Sequence, residues 1–135
     1  YTAVADFDMD MQAEVVVSSG GGQIRLQDTD CSTIWTANIP GATTSYYGGP
    51  PTIADYDGDG LPEVGVAANS SYTVFDTDGS MLWQQTTQDA SSGNTGSAVF
   101  DFEGDGSITE GGITPKAYQV SLFPIIPSIT WNFNF

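Results

Sequence analysis

The chain has 135 residues, 39% of them apolar, with 16 Gly and 7 Pro, and its 17 acidic side chains against two basic ones set a net charge of −15. That length suits one compact domain or a few small repeats that lean on each other. The charge excludes nucleic acid and anionic membrane surfaces as partners, since both are gripped through basic side chains, and points to cations instead.

In chain order, Tyr1 stands where an initiator Met would, and no signal peptide is visible, which predicts a chain processed or excised from something longer. Thr2-Ala3-Val4-Ala5 reads as a first short strand and is followed by the acidic run Asp6-x-Asp8-x-Asp10. Glu14-Val15-Val16-Val17 then reads as a second strand, Gly20-Gly21-Gly22 as a turn and Gln23-Ile24-Arg25-Leu26 as a third strand. A turn at Asp28-Thr29-Asp30-Cys31 leads to a fourth strand at Thr33-Ile34-Trp35-Thr36. Short β-branched and aromatic runs parted by Gly, Asp and Pro clusters are strand signals, and no window carries a capped helical period. Cys31 is the single cysteine, so no intrachain disulfide forms.

The same pattern then recurs. Trp35, Trp83 and Trp131 are spaced 48 and 48 residues apart, and Ser32, Ser80 and Ser128 each stand three residues before them. Ile24-x-Leu26 matches Tyr72-x-Val74 and Val120-x-Leu122, and the turn after each pair falls at Asp28–Cys31, Asp76–Gly79 and Pro124–Pro127. The predicted organisation is therefore three repeats, residues 1–47, 48–94 and a divergent 95–135. Four strands every 40 to 50 residues is the signature of propeller blades. The predicted fold is all-β: β-propeller blades built as three four-stranded antiparallel repeats. A sandwich is the competitor, but it gives no reason for an acidic loop at one place per unit. Three blades do not close a propeller, so the chain is an open arc or part of a larger propeller. The apolar stretch Ala117 to Phe135 is broken by Pro124, Pro127, Gln119, Asn132 and Asn134, too often for a membrane-crossing helix.

The acids follow the repeat. Asp6, Asp8, Asp10 and Glu14; Asp55, Asp57, Asp59 and Glu63; and Asp101, Glu103, Asp105 and Glu110 together hold 12 of the 17 acids. In the second loop, positions 1, 3 and 5 offer carboxylates, Gly60 at position 6 allows an unusual turn, and Leu61 at position 7 offers its carbonyl. Glu63 closes the loop from position 9. Ca²⁺ takes six to eight oxygens at roughly 2.3–2.6 Å, which suits such a loop, whereas Mg²⁺ prefers to keep its waters. An EF-hand would continue to an acid at position 12 between helices; here the strand Val64-Gly65-Val66 follows. Gln12 and Ser107 take position 7 in the first and third loops. Met11 occupies the place of Gly60, predicting backbone strain or a variant turn in loop one, and loop three departs further with Glu103 at position 3 and Glu110 one residue late. Two to three Ca²⁺ ions are expected.

The unit Asp-x-Asp-x-Asp-Gly-x-x-Glu-Val-x-Val, following the lead Gly48-Gly49-Pro50-Pro51, resembles the FG-GAP/VCBS repeats of bacterial surface propellers and integrin α-chain heads. The resemblance spans Val4 to Trp35, Pro51 to Trp83 and, more weakly, Ala98 to Trp131. It implies calcium in the loop between the first two strands of each blade, held by Asp6, Asp8, Asp10, Gln12 and Glu14 and by Asp55, Asp57, Asp59, Leu61 and Glu63. It also implies an extracellular or cell-surface setting.

Catalysis is not expected. The chain has no His, one Cys, one Lys and one Arg, no Ser stands in a nucleophile elbow, and most carboxylates are committed to the loops. The leading expectation is a non-catalytic extracellular calcium-binding structural or adhesive repeat module; the alternatives are a self-assembling ring- or filament-forming surface protein and a carbohydrate-binding propeller. Expected partners are other propeller blades or copies of itself, with a protein or glycan ligand on an exposed face, and neither nucleic acid nor membrane insertion. Bare end faces carrying Val4, Val15 and Val17 on one side and Val120, Leu122 and Trp131 on the other predict association. Asp28, Asp30, Asp76 and Asp78 read as turn formers, Trp35 and Trp83 as packing between units, Asn69-Ser70-Ser71 as a glycosylation sequon, and Tyr46 with Tyr47 as an exposed patch.

Overall fold

A computed structural model describes residues 1–45, 47–88 and 95–99. The third loop with Asp101, Glu103, Asp105, Ser107 and Glu110, the stretch Ala117–Phe135 and Tyr46 lie outside the described residues. Among the described residues every regular element is a strand: β1 (Thr2–Ala5), β2 (Glu14–Ser18), β3 (Gln23–Gln27), β4 (Thr33–Asn38), β5 (Thr52–Ala54), β6 (Glu63–Ala67), β7 (Ser71–Phe75) and β8 (Met81–Thr86). The described part of the chain is all-β, as the short β-branched runs predict.

Consecutive strands pair antiparallel into two four-stranded sheets, β1-β2-β3-β4 and β5-β6-β7-β8, and neither closes on itself. The two sheets repeat each other in detail. Val4 pairs with Val15, Val16 with Leu26 and Leu26 with Trp35; Ile53 pairs with Val64, Gly65 with Val74 and Val74 with Trp83. Each sheet carries one register shift, at Leu26/Gln27 in the first and at Val74/Phe75 in the second. The hairpin turns are set by their aspartates. Asp28 Oδ1 accepts from Thr29 N and Asp30 Oδ1 from Ser32 N; Asp76 and Asp78 do the same for Thr77 N and Ser80 N. Those bonds hold the Asp30 and Asp78 carboxyls below the usual range, through the Ser32 side chain and backbone and the Ser80 backbone and side chain respectively. The third residue after each leading Asp takes a left-handed backbone, Cys31 at φ 69° and Gly79 at φ 84°.

Pleating sends alternate residues to opposite faces, so one stripe of each sheet meets its neighbour. Val16, Ile24, Leu26 and Phe7 of the first sheet pack with Val64, Val66, Ala68 and Phe75 of the second, and Trp35 and Ile53 close the edges of this core. Trp35 lies 6.4 Å from Phe75 between ring centres and donates its indole N–H to the Thr77 carbonyl across the interface at 2.9 Å. Its ring rests on Gly79, where a Cβ would come within 2.7 Å of the indole. The segment joining the sheets is threaded between them. Ile39 and Gly48 are buried, Ser18 Oγ donates to the Gly48 carbonyl at 3.0 Å, Gly49 N donates to Ala67 O at 2.8 Å, and Ser71 Oγ donates to Pro40 O. A side chain at Gly48 would sit 2.9 Å from Ser18 Oγ and closer still to Ile39, so the lead before the second repeat needs glycine there for close passage.

Candidate metal centre

Both described acidic loops lie at the same corner of their sheets, between β1 and β2 and between β5 and β6, where the last residue of one strand and the first of the next are paired: Ala5 with Glu14, Ala54 with Glu63. The loop is therefore clamped at its base by the ladder, and its aspartates shape the rest by catching amides ahead of them. In the second loop Asp55 accepts from Gly58 N at 2.6 Å and Gly60 N at 2.9 Å, Asp57 from Asp59 N at 3.1 Å, and Asp59 from Leu61 N at 2.8 Å. In the first, Asp6 accepts from Met11 N at 3.0 Å, Asp8 from Asp10 N at 3.1 Å, and Asp10 from Gln12 N at 2.7 Å. The backbone turns left-handed at the two intervening positions of each loop, Gly58 (φ 83°) and Gly60 (φ 89°) in one, Met9 (φ 61°) and Met11 (φ 71°) in the other. Met11 thus carries the strain expected of a side chain at a glycine position, and Met9 shares it.

The closing glutamates are the anchor. Glu63 is fully buried and its Oε2 accepts from Tyr56 N at 2.5 Å; Glu14, also buried, accepts from Phe7 N at 2.6 Å. Glu63 Oε1 is buried with no hydrogen-bond partner among the described residues, and so is Asp6 Oδ1 in the first loop. Burying a carboxylate oxygen without a donor costs several kcal/mol unless a cation meets it. Burial pushes the Glu63 carboxyl up to about 7 against the hydrogen bond from Tyr56, and the charges of Asp57, Asp55 and Asp59 push the same way.

The structure brings together carboxylate oxygens of Asp55, Asp57, Asp59 and Glu63, all within 4.8 Å of one another, and likewise those of Asp6, Asp8 and Glu14. Both groups are able to hold a metal ion. Asp10 is not brought into the first group: Gln12 occupies both its oxygens, through the backbone N at 2.7 Å and through Nε2 at 2.7 Å. Gln12 and Leu61 turn their amides onto the position-5 aspartates. Sequence reasoning missed the residue at position 2, Phe7 or Tyr56, whose amide orients the glutamate and whose ring is buried. The signal was present, since an aromatic stands there in all three loops, Phe7, Tyr56 and Phe102. Asp28, Asp30, Asp76 and Asp78 remain with their turns.

No family model, no curated protein and no solved structure matches the chain. The functional reading therefore rests on the chemistry of the two loops.

Proposed function

We propose that this chain is a non-catalytic, calcium-binding structural module in which each ion ties the first two strands of a sheet together. The observation that carries the reading is the buried carboxylate oxygen in each described loop, Glu63 Oε1 and Asp6 Oδ1, set among other carboxylates with no hydrogen-bond donor and no nitrogen or sulfur ligand among the described residues. Oxygen-only sets favour hard cations, and a flexible loop of mixed carboxylates and carbonyls suits the larger, many-coordinate Ca²⁺ better than Mg²⁺ or Zn²⁺. Asp55, Asp57, Asp59 and Glu63 hold one ion; Asp6, Asp8 and Glu14 hold the second, with Asp10 joining if Gln12 yields. The Leu61 and Gln12 carbonyls and water complete the shells. Asp101, Glu103, Asp105, Ser107 and Glu110 repeat the pattern for a third.

Two sheets of one design stacked face to face, each with the loop at one corner, support the reading of the repeats as propeller blades of the FG-GAP/VCBS kind. An extracellular or cell-surface setting follows from it, because loops of extracellular modules bind at about 10⁻⁴–10⁻³ M and fill only where calcium is plentiful. Calorimetric titration with Ca²⁺ and thermal melts in calcium and in EDTA test the proposal. At tenfold excess over Kd each independent site stabilises by about 1.4 kcal/mol, so the calcium melt should lie clearly above the EDTA melt. Superimposed melts would overturn the reading, as would an Asp76→Asn change that weakens binding as much as Asp59→Asn.

A further inference from the structure

The two described loops offer a cation the same frame and differ at its fifth position. In loop two Asp59 Oδ1 accepts from Leu61 N at 2.8 Å, and this is its whole hydrogen bonding among the described residues. Its other oxygen is open, and Asp59 joins Asp55, Asp57 and Glu63. In loop one Asp10 Oδ1 accepts from Gln12 N at 2.7 Å, the same main-chain bond, but Gln12 Nε2 also donates to Asp10 Oδ2 at 2.7 Å. One residue thus takes both oxygens, and Asp10 stands outside the group of Asp6, Asp8 and Glu14. A leucine side chain has no donor, so Leu61 cannot make the second bond.

The strained methionines do not account for the difference. Met11 N reaches Asp6 Oδ2 as Gly60 N reaches Asp55 Oδ2, at 3.0 and 2.9 Å, and Asp10 N reaches Asp8 as Asp59 N reaches Asp57, both at 3.1 Å. The loop backbone therefore closes alike with Met9 and Met11 in place of Gly58 and Gly60. The one main-chain bond not shared, Gly58 N to Asp55 Oδ1, involves neither position 5 nor position 7. What sets Asp10 apart from Asp59 is the side chain of Gln12.

We propose, resting on the calcium reading of both loops, that Gln12 determines affinity: its side-chain amide competes with the ion for Asp10, so loop one binds calcium more weakly than loop two and fills after it. An ion entering loop one meets Asp6, Asp8 and Glu14. To gain Asp10 it must displace Gln12 Nε2, and losing a hydrogen bond to a charged carboxylate offsets part of what a fourth carboxylate contributes. The ligand expected from position 7 is its carbonyl, which Gln12 and Leu61 both carry, so exchanging the two side chains changes the competitor and leaves the ligand set alone. Between the two half-saturation points the second sheet is clamped and the first is not. The chain thus responds to calcium in two steps.

The test is a calcium titration of the full chain followed by nuclear magnetic resonance, in which the main-chain amides of Asp8–Gln12 and Asp57–Leu61 report each loop by itself. Loop two is expected to saturate at lower calcium than loop one. Gln12→Leu should tighten loop one roughly three- to tenfold, and Leu61→Gln should weaken loop two by a similar factor. Asp10→Asn should cost little in the wild type but cancel the gain when added to Gln12→Leu. In EDTA the Gln12 Nε2 protons should show nuclear Overhauser contacts to the Asp10 β-protons, and calcium should abolish them. Gln12 is exposed, so its exchange leaves the core alone, and the order of filling in the wild type is read without any variant. An unchanged loop-one affinity in Gln12→Leu, or loop one filling first, overturns the proposal and leaves the calcium reading standing. Amides of neither loop responding to calcium would overturn that reading itself, and the role of Gln12 with it.

Discussion

The first and second sheets share strand order, register, bulge position and loop, yet they are buried differently. Along β2 and β3 buried and exposed or half-buried residues alternate, as a sheet with one covered face requires, whereas every residue of β6 and β7 is buried. The substitutions between the repeats answer to that difference. Where the first face has Phe7, Val16 and Ile24, the second has Tyr56, Gly65 and Tyr72, and the missing side chain of Gly65 leaves room for the two phenol oxygens, into which a Cβ would run. Burial raises both phenols above their ordinary range, so the Tyr56–Tyr72–Ser97 chain of hydroxyls stays neutral. The loops differ too. Loop two has glycine at both left-handed positions and gathers four carboxylates; loop one has methionine at both and gathers three. Two copies of one pattern thus diverge where their neighbours and their strain differ.

Exchanging the residues that distinguish the faces should have the largest effect. Gly65→Val places the first sheet's side chain under Tyr56 and Tyr72 and should cost about 3 kcal/mol in urea denaturation, the upper part of the usual overpacking range. Adding Tyr56→Phe and Tyr72→Ile should recover at least half of it. No recovery would mean that the two phenols are not what keeps position 65 free of a side chain.

Next is the contact that joins the sheets. Trp35→Phe keeps a ring against Phe75 but leaves the Thr77 carbonyl without its donor, for an expected loss of about 2 kcal/mol at saturating calcium. An equal loss in Thr77→Ala, which retains that carbonyl, would point to the turn rather than to the indole bond.

The third comparison changes sign with metal. Glu63→Gln should lower stability in calcium by about 1.4 kcal/mol at tenfold excess, the contribution of one site, and should raise it in EDTA at pH 8, where the wild type holds a buried unpaired charge. The carboxyl of metal-free Glu63 is raised from 4.5 to about 7. The folded state therefore binds the proton more tightly than the unfolded one, and stability from this group is full below about 4.5 and lost as pH rises to 7. The gain from Gln in EDTA should accordingly shrink at pH 5. A variant that destabilises equally in calcium and EDTA would show that Glu63 serves packing alone.

The smallest effect concerns strain. Met11→Gly removes a side chain from φ 71°. The relief, about 1–2 kcal/mol for a left-handed residue, is offset in part by glycine's greater freedom when unfolded, about 0.5–1 kcal/mol. A net gain of about 0.5 kcal/mol is expected, with calcium affinity at loop one rising toward that of loop two. Unchanged affinity would separate the strain from the coordination.

Much of this protein was legible in its residues alone, because the rules involved act over a few positions. β-Branched runs between Asp and Gly clusters set the strands, with β1 as read and β4 two residues longer. The spacing of Trp35 and Trp83 matches the repeat of the two described sheets, and i to i+2 aspartate–amide bonds shaped turns and loops alike. The gathering of Asp55, Asp57, Asp59 and Glu63, and of Asp6, Asp8 and Glu14, follows from the same local geometry. What only the tertiary structure decided depends on distant partners. Nothing near Gln12 announces that it takes both oxygens of Asp10, since any side chain amide has many acceptors within reach. Nothing near Trp35 names a carbonyl 42 residues away, and nothing in β6 or β7 says that both their faces are covered. Pleating determines which residues share a face; what lies against that face is settled only when the next sheet arrives.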